Sequence, residues 1–220
     1  QTGKKEQIIY HEGYTVSYNS DYKIANWVAY ELTAEEADSK DVKRKDNFIP
    51  DPMIAEEESA TSEDYSGSGY DRGHLAPAGD MKWSEKAMQE SFYFTNICPQ
   101  NRGLNTGIWN TLENQCRKWA ARYGKLLIVT GPVVIEDSLK QLGKQGVAIP
   151  NAFYKVICIP CADKPKGIGF LFENRTYVKT SIRSMAVSID SVESVTGIDF
   201  FPSFPLEVQK EMEASTDWKY

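Results

Sequence analysis

An α+β fold is the class this sequence predicts: one mixed domain over residues 1–220, with a central antiparallel-rich sheet and a long helix laid against it. Three observations predict it. Twelve tyrosines and nine phenylalanines favour a substantial sheet. Apolar and polar residues alternate in several short runs, the period of a half-buried strand. One long stretch, residues 105–123, repeats its apolar positions every three or four residues, the period of a helix.

Residues 1–7, QTGKKEQ, read as a loose polar start. Residues 8–32 hold two or three strands. Tyr14, Val16 and Tyr18 alternate with polar neighbours, and NWVAYEL at 26–32 is a fuller apolar run. His11 lies here at a loop or strand edge, with no role assigned. Thr33 followed by Glu36 fits a capping box and a short helical turn. Residues 38–68 are polar, acidic and turn-rich, which predicts a long surface excursion of the kind that often carries binding residues. After GYDRGHLAPAGD at 69–80 come a short helix over 84–91, a buried strand over 92–97 ended by Pro99, and a turn around Gly103. Ile108, Trp109, Leu112, Cys116, Trp119 and Ala120 make one apolar stripe of the long helix, and Gly124 sits where it would stop. KLLIVTGPVVI is a strand interrupted at Gly131-Pro132. Two further strands, 153–160 and 167–173, are joined by a Lys-Pro-Lys-Gly turn. A short strand over 185–189 precedes a short helix capped by Asp190 and Glu193 and ending near Gly197. FFPSFP at 200–205 packs on the core, and a short terminal helix follows. No repeat or low-complexity linker is present.

Composition is that of an ordinary globular chain, 41% hydrophobic and 25% charged. No apolar run approaches about 20 residues, so nothing is expected to span a membrane. A net charge of −6 is awkward for a partner as anionic as nucleic acid, but the distribution of charge matters more than its sum. Residues 31–64 carry 12 acids against four bases, whereas residues 114–125 carry Arg117, Lys118, Arg122, Lys125 and no acid. A basic face on an acidic protein is therefore open, as is a plain solvated helix face. The cysteines are Cys98, Cys116, Cys158 and Cys161. Cys158-x-x-Cys161 lacks the second pair a zinc site needs and has Pro160 inside it, so a disulfide or free thiols are favoured over zinc or redox chemistry.

The chemistry concentrates at 69–80. His74 is one of two histidines, and an imidazole near its reference pKa of about 6.5 accepts a proton at neutral pH. Arg72 carries a permanent charge and a planar fork of donors suited to phosphate. Two residues apart on an extended strand, they share a side. Strand, turn, strand and helix then form a compact unit over about 69–123 that can aim His74, Asn96 and the helix start into one place. Asn105 falls on the first helical turn, and its amide oxygen is a suitable hard ligand for Mg²⁺. In a regular α-helix Glu113 would lie roughly 80° round and about 12 Å along from Asn105. A water-bridged role suits it better than a shared ion. A cap for Asn105 and a surface ion pair for Glu113 are the plain alternatives.

Taken jointly, these residues resemble the DNA/RNA non-specific endonucleases of the ββα-metal, or His-Me finger, class. The likeness rests on DRGH at 71–74 with LAPAGD, TNICPQ at 95–100, and the N-x3-W-x2-LE pattern of Asn105, Trp109, Leu112 and Glu113. Weaker likenesses lie at SYN 17–19, NFIPDP 47–52, AFYKV 152–156 and TGIDFFP 196–202. The resemblance implies Mg²⁺-dependent cleavage of DNA and RNA, with Mn²⁺ able to substitute and 5′-phosphate products. It implies His74 as general base, Arg72 as phosphate clamp, Asn105 as the sole direct protein ligand of the metal, and Glu113 holding metal-bound water. Asn96 counts with the catalytic set, and Asp71 and Gln100 with substrate binding, all three in supporting roles. An arginine before the motif also contacts substrate, matched by Arg44 with Lys45 in competition.

Two other functions stay open: a phosphodiesterase acting on small nucleotides, and an inactive nucleic-acid-binding protein on the same scaffold. Expected partners are DNA and RNA as substrates, no membrane, and a homodimer as an open assembly state. A nuclease endangers its own cell and four cysteines permit disulfides, so the expected address is secreted or periplasmic, with a signal peptide already removed.

Overall fold

The computed structural model describes residues 4–160 and 164–216. The fold is α+β, as predicted. Strands β1 (Gln7–Tyr10), β2 (Thr15–Asn19) and β3 (Ile24–Thr33) form a meander. Helix α1 (Ala34–Asp38) starts on the Thr33/Glu36 capping box. The excursion that follows contains α2 (Ser62–Tyr65) but is tied down rather than loose. Buried Asp51 accepts from His11 Nε2 at 2.9 Å, from Thr95 Oγ1 at 2.7 Å and from the Met53 N–H at 2.9 Å. His11, unassigned from sequence, thus anchors this loop.

Strand β4 (Tyr70–His74) pairs antiparallel with β5 (Ile97–Asn101), and α3 (Glu85–Glu90) lies between them in the chain. Here the structure corrects the expected strand over 92–97. Phe92–Asn96 is buried but runs through a 3₁₀ turn, and the strand begins at Ile97. Pro99 sits inside β5, opposite Arg72, because a two-stranded ribbon leaves one edge without a ladder to break.

The long helix also departs from expectation. Leu104–Trp109 is a wide π-helical turn with a non-helical Gly107 (φ −100°, ψ −114°), and the α-helix α4 runs Asn110–Tyr123. Gly124 ends it at φ 86°, a conformation glycine adopts without a Cβ penalty. All six residues of the expected stripe are buried. Strand β6 (Lys125–Val133) passes through Gly131-Pro132 without a break. Pro132 lies beyond Thr130, the last residue paired with β3, where β6 has only β9 as a neighbour. A short hairpin, β7 (Lys140–Leu142) with β8 (Val147–Ile149), was not expected, since three-residue strands show no period to read.

Strands β9 (Ala152–Ile159) and β10 (Lys166–Glu173) complete the wide part of the sheet, with β11 (Ala186–Val187) at its edge. The order is β1-β2-β3-β6-β9-β10-β11, antiparallel throughout. Alternation along β9 sends Phe153 and Ile157 to the face packed against α4, and Tyr154, Val156 and Cys158 to the other. Helices α5 (Ile189–Thr196) and α6 (Leu206–Glu213), with Phe200, cover that second face. Helix α5 is capped by Ser188, whose side chain accepts from the Ser191 N–H, and not by Asp190. Cys98 and Cys116 are buried free thiols, and Cys158 donates to Met212 Sδ at 3.6 Å. Cys161 and the first three residues of the polar start lie outside the described residues.

Candidate active site

His74 closes strand β4 and is buried between two rings. Its centroid lies 5.5 Å from Phe48 and 4.9 Å, edge-on, from Phe92. Its Nε2 is buried without a hydrogen-bond partner among the described residues. Burial, reinforced by the charges of Arg44 and Arg72 and opposed by Asp46, pushes its pKa down to about 3. The expectation of an imidazole near 6.5 is therefore corrected: desolvation disfavours the cation. The ring stays neutral at pH 7, the form able to take a proton.

Three contacts hold this ring's backbone in place. The Asn96 amide donates to Ala76 O and Ser91 O, both at 2.8 Å, and its oxygen accepts from the Ala76 N–H at 2.9 Å. Wholly buried and fully engaged, Asn96 fixes the turn after His74 and does not line the cleft, so its place in the catalytic set is corrected to a positioning one. Lys155, fully buried on β9, donates to Leu75 O at 3.3 Å. Gly73 lets β4 lie on Gln100, since a Cβ there would stand 2.2 Å from Gln100 Oε1. Gln100 is thereby buried beneath the strand, which removes it from the expected substrate contacts.

Asn105 donates through Nδ2 to Asp71 Oδ2 at 2.9 Å, which aims its carbonyl oxygen elsewhere. Asp71 also faces Arg102 at 3.6 Å. Its bond turns the Asn105 amide, and Asp71 also lines a cleft shared with Arg44, Arg72 and Asn105. Glu113, half-buried, faces the same cleft, and burial with help from Asp80 pushes its carboxyl up to about 7 against the pull of Lys155 and Arg117. A cleft of about 330 Å³ is lined by Arg44, Arg72, His74, Asn105, Glu113 and Arg117. A second, of about 440 Å³, adjoins it across Arg44, Arg72 and Asn105 and is walled by Phe48 and Tyr65. An amide oxygen turned by its own hydrogen bond and a nearby carboxyl are hard donors, the set a small divalent cation takes when water and phosphate complete its shell.

The arginines rest on rings. Arg72 lies 4.1 Å over Phe48, and Arg44 lies 5.2 Å over Phe92 while its Nε bonds Asp46 at 2.6 Å. Lys45 points to Glu85 instead. Arg44 is thus the cation of that pair on the cleft wall. Arg117 was read from sequence only as part of a basic run. It is half-buried, bonds Asp80 at 2.6 Å and Asn114 at 2.8 Å, and borders the cleft. Its spacing of four from Glu113, the same helix face, was the signal available. Phe48 carried no such signal.

The family model for DNA/RNA non-specific endonucleases matches residues 1–207. Among curated relatives, the mitochondrial nuclease EXOG of Mus musculus is 33% identical over 87% of the chain. The chain spans 56% of that protein and 60% of the Danio rerio one, so it corresponds to little more than half their length. Nuclease C1 of Cunninghamella echinulata var. echinulata is 33% identical, covering 97% of this chain and 90% of its own. Among solved structures, an EndoG/EndoGI complex described as revealing the mechanism of EndoG inhibition superposes with a TM-score of 0.89 at 31% identity, over 98% of this chain and 92% of the other. The expectation of a secreted or periplasmic protein is overturned by these relatives. EXOG, human endonuclease G and nuclease 1 of Schizosaccharomyces pombe are all named as mitochondrial. The free thiols of Cys98 and Cys116 also remove the disulfide argument for export as far as those two residues go.

Proposed function

The chain belongs to the DNA/RNA non-specific endonuclease family, and from that premise we propose that it hydrolyses phosphodiester bonds within DNA and RNA, with a divalent cation held at Asn105. The observation that carries the reading is that His74, Arg72, Asn105 and Glu113 line one cleft, with the Asn105 amide turned by Asp71. Neutral His74 takes the proton of the attacking water. Arg72 and Arg44, preorganised on Phe48 and Phe92, hold the phosphate and meet the charge that builds on it. Glu113 orders water between itself and the Asn105 side. When bound, Mg²⁺, or Mn²⁺ in its place, supplies Lewis-acid charge against the phosphate and the departing 3′ oxygen. Breaking the bond to that oxygen leaves a 5′ phosphate. Water rather than the ribose 2′-hydroxyl is the nucleophile, so both sugars serve.

Burial is the main reason the imidazole is a weak base, and binding substrate offsets the smaller part that comes from charge. Arg44 and Arg72, which depress His74, are the charges a phosphate neutralises, so its proton affinity rises in the complex. The two adjoining clefts give room beyond a single phosphodiester, which favours a polymer over a small nucleotide. Plasmid DNA and RNA are incubated with Mg²⁺ or EDTA, using the native chain, His74→Ala and Asn105→Ala. Nicking and RNA loss with Mg²⁺, absent with EDTA, are expected. Both variants are expected to fold normally; His74→Ala should cut at under about 1% of the native rate, since a general base contributes about 10²–10⁴-fold, and Asn105→Ala should lose most of the response to Mg²⁺. Cleavage indifferent to EDTA, or His74→Ala cutting at a tenth of the native rate, would refute the mechanism. No cleavage by the native chain with retained DNA binding would favour the binding-protein reading.

A further inference from the structure

Far from the cleft in the fold, on the face of the sheet covered by α5 and α6, three carboxylates converge. We propose that Asp190, Glu193 and Glu213 form a second divalent-cation site, wide enough for Ca²⁺, that ties the end of α6 to α5. Each offers one oxygen, and those oxygens all lie within 4.8 Å of one another. Asp190 and Glu193 stand three apart on α5, hence on one face. Glu213 is the last residue of α6.

The observation that points to a ligand is Glu213. The residue is buried, only 7% exposed, and its Oε1 has no hydrogen-bond partner among the described residues. A buried carboxylate oxygen left without a donor is costly. The neighbours acting on it, Glu193, Asp190 and Asp199, are all acids. Lys210, one turn before Glu213 on α6, bonds Glu207 at 3.3 Å, and Lys164 bonds Glu211 at 2.8 Å. Glu193 is held in place, its Oε1 accepting from the Phe200 N–H at 2.8 Å. Two things could settle such a cluster: a shared proton or a cation.

The spacing admits a cation, and Ca²⁺, with its longer bonds, has the wider reach. Two ligands of the same ion can stand no farther apart than twice the bond length. That limit is about 4.6–5.2 Å for Ca²⁺ and about 4.0–4.2 Å for Mg²⁺. The three oxygens, all within 4.8 Å of one another, fall inside the upper Ca²⁺ limit, whereas Mg²⁺ would need every pair within about 4.2 Å. Exposed Asp190 leaves an open side for the waters that complete six to eight ligands. The C-terminal end of α6, with its unsatisfied carbonyls, adds favourable negative potential.

The test is thermal unfolding of the EDTA-stripped full chain at pH 8, with and without added CaCl₂, for the native protein, Asn105→Ala, Glu193→Gln and Glu213→Gln. Glutamine preserves shape and removes repulsion, so both glutamine variants should fold. With Ca²⁺ about 100-fold above its Kd, the midpoint should rise by about 5–10 °C in the native protein, and a rise should persist in Asn105→Ala. The rise should be lost in both glutamine variants. No rise in the native protein, or a rise undiminished in Glu193→Gln and Glu213→Gln, would overturn the site. A rise lost only in Asn105→Ala would do so too, by assigning all Ca²⁺ binding to the catalytic cleft.

Discussion

Replacing Lys155 with methionine tests whether a buried ammonium holds the catalytic corner together. Lys155 is fully buried, donates to Leu75 O at 3.3 Å, and sits 4.8 Å from the centre of the Trp109 ring. Burial lowers its pKa, while Glu113 and Asp80 pull it back up. Methionine keeps the length and loses the charge. The losses are a hydrogen bond from a charged donor, about 1.5–3 kcal/mol, and a desolvated cation–π contact, about 2 kcal/mol. Asp80 and Glu113 are left with Arg117. Against this stands relief of the ammonium's own desolvation, several kcal/mol. Removing one member of a buried charge set typically costs about 3–5 kcal/mol. At about 3 kcal/mol and about 2–4 °C per kcal/mol for a chain of this size, the melting midpoint should fall by about 6–12 °C. The deficit should depend on pH. Folded Glu113 titrates near 7, above its ordinary 4.5, so below 7 it is protonated and needs Lys155 less. Calorimetry should therefore find a smaller deficit at pH 5.5 than at pH 8. On plasmid, kcat should fall about tenfold with KM little changed, because Leu75 O anchors the strand end that carries His74. A variant as stable as the native chain at pH 8, with unchanged kcat, would refute this reasoning.

Three further outcomes are expected. Gly73→Ala puts a Cβ 2.2 Å from Gln100 Oε1 and 2.5 Å from Gln100 Cβ; urea unfolding should show a loss of about 1–3 kcal/mol from overpacking, with cleavage impaired. Arg44→Ala should weaken DNA binding and lower the slope of log K against log salt by about 1, whereas Lys45→Ala, removing a partner of Glu85, should leave the slope nearly unchanged. His74 has a folded pKa of about 3 against about 6.5 unfolded, so acid draws a proton into the unfolded chain first. Stability should thus be lost as pH falls from 6.5 towards 3, and His74→Asn should lose less over that window in denaturant titrations.

Much of the site was readable because it is local. DRGH and the Asn105–Glu113 spacing lie within 43 residues, on a strand, a strand and a helix whose periods show in the residues. The Thr33–Glu36 box and the Gly124 stop are likewise short-range devices with their chemistry in adjacent side chains. What failed to read was long-range. Asn96 and Gln100 look like site residues by position, yet one is spent on Ala76 and Ser91 and the other lies under Gly73. The π-helical turn at Leu104–Trp109 breaks the regular angle assumed between Asn105 and Glu113, and nothing in the apolar spacing announces it.

By itself, then, the amino-acid order determined the ββα unit, the antiparallel sheet and which imidazole, guanidinium and amide come to line one cleft, because period, capping and motif spacing act between near neighbours. Only the folded chain decided that Arg44 rather than Lys45 faces the cleft, that Lys155 and Arg117 support it, and that His74 is held neutral. Those properties depend on burial and on charges brought together from β9, α4 and the 38–68 loop, and desolvation belongs to a packed interior that no single stretch possesses.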